Sequence, residues 1–114
     1  MTVFELMRAL KTAVKNDSRA LEYLVVFDDD MTGLECDGIY DRCSDFNLST
    51  VYTDMNANDY MTVAQLMSEI QALVDADFDI YNYEVRIDGD QSLKLRVVSS
   101  KELHYESFFL IAKA

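Results

Sequence analysis

Carboxylates are the chemically useful side chains that this chain holds in quantity: 21 Asp and Glu against 10 Lys and Arg in 114 residues. They are unevenly placed, because Asp28 to Glu84 carries fourteen of them with a single base, Arg42, while the flanking segments are close to neutral. Carboxylates gathered in this way can hold a hard cation, act as a catalytic acid and base, or present a negative surface to a basic partner. The cation reading is tested by Asp54-x-Asn56-x-Asn58, which resembles the opening of a calcium loop. It fails further on: Asp59 stands where the sharp turn needs Gly, and Gln65 occupies the position of the bidentate Glu. Asp75-x-Asp77-x-Asp79 fails in the same way, with Arg86 at its last position. No metal and no cofactor is expected.

Catalysis has little more to draw on. The lone histidine, His104, lies in a predicted strand beside Tyr105 and Glu106, with no nucleophile elbow to accompany it. Three glycines, Gly33, Gly38 and Gly89, leave little scope for a phosphate-cradling loop. Carboxylate pairs are too abundant to single one out, so the chain reads as a non-enzyme. Cys36 and Cys43 are seven apart and lack histidine partners, which fits reduced strand cysteines better than a zinc site. A disulfide between them would need the segment to bend back on itself.

A negative surface is the use that remains. The plain explanation is that Asp forms turns and caps by local hydrogen bonding. The sharper one is that rows of carboxylates imitate a phosphate array and enter a basic groove on another protein. That reading assigns partner contacts to Asp28, Asp29, Asp30, Glu35, Asp37, Asp41, Asp45, Asp54 and Asp59. The net charge of -11 disfavours direct contact with nucleic acid or an anionic membrane. No apolar run approaches a signal or membrane-spanning segment, so a cytoplasmic location is expected.

The elements that must carry these groups are duplicated. Residues 1–30 align with residues 61–90 without a gap, and eleven positions are identical: Met1, Thr2, Val3, Leu6, Met7, Val14, Asp17, Tyr23, Val25, Asp28 and Asp30 recur sixty residues on. Each copy opens on a capping box, Thr2-x-x-Glu5 and Thr62-x-x-Gln65. Behind the caps, Val3, Leu6, Met7, Leu10 and Val14 line one helix face, as do Val63, Leu66, Met67, Ile70, Leu73 and Val74. Polar stretches end both helices, and strand-like runs follow at Leu21–Asp28 and Ile80–Asp88. Further strands are expected near Gly33–Cys43, Asn47–Asp54, Ser92–Val98 and Leu103–Ala112. Asp88-Gly89-Asp90 is the clearest turn and predicts a hairpin with the strand after it.

The expected fold is therefore α+β: a single domain, 1–114, made of two αβββ units, 1–58 and 59–114, each a helix followed by a three-stranded antiparallel meander. One such unit is small for independent stability, so a shared core and a pseudo-two-fold are expected.

The opening Met1-Thr2-Val3-x-Glu5-Leu6-Met7, followed by a strand ending in acidic residues, resembles the start of many small bacteriophage and prophage proteins. In its size, acidity and want of an active site the chain is also similar in type to anti-CRISPR and other anti-defence inhibitors. The resemblance implies an inhibitor that blocks the basic nucleic-acid-binding surface of a host enzyme such as a nuclease. The alternative is a ligand-binding or self-associating module, possible as a homo-oligomer, with Tyr40, Tyr52, Tyr60, Tyr81 and Phe108 lining a cleft between the repeats.

Overall fold

A computed structural model describes residues 1–28, 30–51, 60–98 and 107–114. Two fourteen-residue helices, α1 (Val3–Asn16) and α2 (Val63–Ala76), start where the capping boxes place them. The Thr2 and Thr62 hydroxyls each accept from the third helical N–H, of Glu5 and Gln65, at 3.2 Å. The Glu5 and Gln65 side chains accept in return from the backbone N–H of Thr2 and Thr62, at 3.4 and 2.8 Å. Two of the unpaired donors at each helix start are satisfied in this way. Thr2→Ala and Thr62→Ala are each expected to lower stability by about 1 kcal/mol in urea unfolding, and Thr→Asn to cost far less.

The helices do not run directly into strands. Asp17 and Asp77 end them, and their carboxylates accept from the N–H groups of Arg19 and Asp79, both at 3.0 Å. Each thereby caps a short 3-10 helix, Ser18–Glu22 or Phe78–Asn82. The strands expected from Leu21 and Ile80 begin three and four residues later, as β1 (Leu24–Phe27) and β4 (Glu84–Ile87). The apolar residues that open those runs, Leu21 and Ile80, fall inside the 3-10 turns instead, where Ile80 is buried and Leu21 is exposed.

The remaining strands are β2 (Thr32–Tyr40), β3 (Asp45–Val51), β5 (Leu95–Val97) and β6 (Phe108–Lys113). All six form one sheet in the order β4-β3-β2-β1-β6-β5. β1, β2 and β3 make the expected antiparallel meander. The second set is arranged differently: β4 lies parallel to β3, while the antiparallel pair β5–β6 joins the other side with β6 parallel to β1. The Asp88-Gly89 turn forms, with φ of 51° and 72° and the Asp90 N–H donating to the Ile87 carbonyl at 3.0 Å. Both central residues are left-handed, the type I′ geometry that favours Asp-Gly. The expected hairpin ladder does not follow it, because the turn is fastened to β3. The Asp88 N–H donates to the Leu48 carbonyl, and the Gly89 N–H donates to Asn47 Oδ1 at 2.7 Å.

Each helix start is bonded to the strand that follows the other helix. The Val3 N–H donates to the Tyr83 carbonyl and the Val63 N–H to the Tyr23 carbonyl, at 2.9 and 2.8 Å. The Val85 and Val25 N–H groups donate to the carbonyls of Met1 and Met61, at 2.9 and 2.8 Å. Every one of these bonds has a counterpart sixty residues away. One apolar core results, taking Val3, Leu6 and Leu10 from α1, Val63, Leu66 and Ile70 from α2, and inward residues such as Val25, Phe46, Val85 and Ile111 from the strands. Alternation sends Phe46 and Leu48 into this core and leaves Asp45, Asn47 and Ser49 on the outer face of β3.

Candidate partner-binding surface

The outer face of β2, β3 and β4 is polar and closely bonded. A β-bulge between Cys36 and Gly38 sets Asp37 opposite no residue of β3, and Gly38, at φ 130°, takes the backbone angle this needs. The bulge brings Asp37 beside Asn47: its Oδ2 accepts from Asn47 Nδ2 at 3.0 Å and from the Tyr40 hydroxyl at 2.6 Å. On β4, Arg86 Nε donates to Asp45 Oδ1 at 3.2 Å, and Arg86 Nη1 to the Gln91 carbonyl at 3.3 Å. Asp88 accepts from the Thr50 N–H and hydroxyl at 2.9 and 2.7 Å. Between these groups lies a cleft of about 450 Å³, lined by Asp37, Tyr40, Asp45, Asn47, Arg86 and Asp88 among others. Three of those six are carboxylates and one is a cation, so the cleft is negative. Among the described residues, no buried side-chain nitrogen or oxygen lacks a hydrogen-bond partner.

The Tyr40 and Asn47 hydrogen bonds hold the Asp37 carboxyl below the ordinary carboxylate range. The same bond raises the Tyr40 phenol, and the bond to Asp41 raises Tyr83. The two directions bound a pH window. Asp37, with its folded pKa depressed, contributes stability that is lost as the medium is acidified through that lowered value. Tyr40, with its folded pKa raised, contributes stability that is lost on alkalinisation through the raised value. Tyr40→Phe is therefore expected to move the Asp37 titration upward when followed by carboxyl-carbon NMR, while leaving the titration of Asp90, held down by Ser92, in place.

The carboxylates singled out from the sequence fall into distinct settings. Asp28 is half-buried at the end of β1, in the left-handed region, with its carboxylate 3.6 Å from Lys113 Nζ. Asp30 and Glu35 are exposed, Glu35 on the outer face opposite Ser49. Asp41 is exposed in the turn after β2 and accepts from the Tyr83 hydroxyl at 3.0 Å. Asp45 is not on the accessible surface: it is 6% exposed and paired with Arg86. Asp29, Asp54 and Asp59 lie outside the described residues, as do His104, Tyr52 and the Asp54-Asn56-Asn58 series. The structure thus brings Asp37 and Asp45 together with Asp88, sets Glu35 and Asp41 on and beside β2, and leaves Asp28 and Asp30 at the opposite end of that strand. Asn47 and Arg86 were not foreseen as members of the site. The alternation Asp45-Phe46-Asn47-Leu48 carried the signal for Asn47, since it puts two polar residues on one face of a strand.

The aromatic residues expected to share a cleft are divided. Tyr40 lines the negative cleft, whereas Tyr81 packs edge-on against Phe4 and Phe78, with ring centroids 5.9 and 5.2 Å away, beside α1. Both cysteines are free thiols. Cys36 Sγ lies 3.8 Å from Met61 Sδ, and burial, then the nearby Glu69 and Glu35, pushes its pKa up to about 12. Cys43 is exposed in the turn after β2. Iodoacetamide at neutral pH is therefore expected to alkylate Cys43 alone, with Cys36 reacting only on unfolding; mass spectrometry of the digested protein checks this.

Among the described residues, no group of three His, Cys, Asp or Glu is placed to hold a metal ion, and no helix is long and apolar enough to cross a membrane. Comparison of the chain with protein-family models, curated proteins and solved structures finds no match in any of the three.

Proposed function

We propose that this chain is a non-enzymatic, phage-encoded inhibitor of the DNA-mimic type, acting in the cytoplasm. On this reading its acidic face occupies a basic nucleic-acid-binding surface on a host defence enzyme, as many anti-CRISPR proteins do. The observation that carries the reading is how the carboxylates are held. Asp17, Asp77 and Asp90 accept from backbone N–H groups two residues on, as local turn and cap formers do. Asp37 and Asp41 are gripped instead by Asn47 and Tyr83, ten and 42 residues away, with Tyr40 adding to the hold on Asp37. Turn formation explains the first set and not the second. Carboxylates fixed on a sheet before a partner arrives lose little freedom on binding. With Glu35 on the N-terminal side of Asp37 and with Asp28 and Asp30 just before the strand, the acidic groups follow β2, whose nine residues extend roughly 30 Å.

The reading includes a scaffold made by duplication, two αβββ units interlocked about a pseudo-two-fold. The sixty-residue correspondence of the four backbone bonds supports it, as do the parallel ladders, in which Leu24 meets Phe108 and Glu84 meets Asp45 at the same step of the register. Divergence of the later strands then places the negative charge on one unit.

A test is capture of partners from a bacterial lysate on the immobilised chain at about 50 and 200 mM salt. The expected result is a basic nucleic-acid-binding protein retained at the lower salt and released at the higher. A chain carrying Asp28→Asn, Asp30→Asn, Glu35→Gln, Asp37→Asn and Asp41→Asn is expected to retain none of it. Equal capture by the variant at both salt concentrations would contradict the proposal.

A further inference from the structure

A second surface, on a different side of the molecule, has the opposite chemistry. Along the exposed flank of α1 stand Arg8, Lys11 and Lys15, and beside them the rings of Phe4, Tyr81 and Phe78 meet edge to face. Arg8 lies over the Phe4 ring, 5.8 Å from its centroid. Among the described residues none of the three cations has a carboxylate partner, although the protein carries a charge of -11. Phe4 and Phe78 are 53% and 75% exposed, which is high for aromatic rings on a monomeric surface. Phe4, Tyr81 and the three cations border a groove of about 240 Å³.

The equivalent positions on the other helix make the feature specific. Sixty residues away, Phe4, Arg8, Lys11 and Lys15 correspond to Ala64, Ser68, Gln71 and Asp75, and Phe78 and Tyr81 correspond to Ser18 and Leu21. The fold needs none of these six side chains, since α2 forms without the four on α1 and the 3-10 helix Ser18–Glu22 forms without the other two.

We propose that this groove is a docking site for a short acidic peptide segment of another protein, with a bulky apolar residue set against Phe4, Phe78 and Tyr81 and carboxylates on Arg8, Lys11 and Lys15. Charge complementarity selects the occupant. Arg8 and Lys15 are seven residues apart on the helix, about 10 Å, which matches two turns of a peptide helix or three extended residues. Single-stranded nucleic acid could stack on the same rings. Its backbone, however, continues past the groove over a surface of net negative charge, whereas a short peptide meets only the charges within a Debye length of about 8 Å. The groove shares no lining residue with the negative cleft, and the proposal stands independently of the inhibitor reading.

The test is selection on the full chain from a random peptide display library, with fluorescence anisotropy on the synthesised winners and on a labelled oligothymidylate. The expected winners carry two or more carboxylates next to a bulky apolar residue. Their affinity should fall about tenfold or more with Lys11→Glu/Lys15→Glu, and again with Phe78→Ala. All three altered side chains are exposed, and circular dichroism confirms the fold of each variant. Failure to enrich any peptide, winners without carboxylates, winners indifferent to both variants, or tighter binding of the oligothymidylate than of any peptide would overturn the proposal.

Discussion

Asp45→Ala is expected to destabilise the protein by about 3 kcal/mol or more, although it removes one of an excess of carboxylates and lowers the self-repulsion of a chain of charge -11. The direction is decided by where the partner sits. The Arg86 side chain is only 20% exposed and its Nε–H is aimed at Asp45 Oδ1; without that oxygen a largely buried guanidinium loses its counter-ion. Relief of surface repulsion is screened and shared among many groups, whereas the loss at Arg86 is local and desolvated. The pair as a whole is a different matter. Asp45→Leu with Arg86→Met removes both charges and keeps the volumes, so the double variant should lie much closer to the wild type than Asp45→Ala alone. Urea unfolding of the three proteins separates the penalty of an orphaned charge from the worth of the pair.

The second large effect is expected from the helix stripe. Leu10 and Ile70 stand at equivalent places on α1 and α2, both 0% exposed, and truncation of either to Ala should cost about 2 to 5 kcal/mol through lost burial and the cavity left behind. Because each helix start is bonded to the strand following the other helix, and both helices bury their stripes in one core, neither half of the chain is expected to unfold alone. Each variant should therefore shift one cooperative transition, seen alike by far-UV dichroism and tyrosine fluorescence. A two-step unfolding curve, with one step unmoved by Leu10→Ala and the other by Ile70→Ala, would show instead that the units are stable separately.

What could be read from the sequence was what depends on near neighbours. Thr2-x-x-Glu5 and Thr62-x-x-Gln65 place both helix starts to the residue, because a capping box is completed within three positions. Asp88-Gly89 gives its turn for the same reason. The short 3-10 helices were hidden because a run such as Ile80-Tyr81, read without its Asp77 cap, has the apolar character of a strand. Strand order was hidden for a deeper reason. Alternation says which face of β4 is buried and nothing about whether β3 or β5 lies beside it, and the bonds that decide it, from Asp88 and Gly89 to Leu48 and Asn47, reach back about forty residues. The site divides along the same line. That the charge gathers between Asp28 and Glu84 is plain in the sequence. That Asp45 is buried against Arg86, and that Asp37 and Asp41 are held by distant side chains, depends on a bulge at Asp37 and on the pairing of β3 with β4.

If the acidic face takes the place of a nucleic-acid backbone, the chain and duplex DNA compete for one surface of the partner. With the partner captured at low salt, increasing amounts of duplex DNA are added and the fraction still bound to the chain is measured. Binding is expected to be mutually exclusive: DNA displaces the chain, the chain displaces DNA, and the variant altered at Asp28, Asp30, Glu35, Asp37 and Asp41 displaces no DNA. A ternary complex, in which the partner holds duplex DNA and the wild-type chain at once without loss of affinity for either, would contradict it.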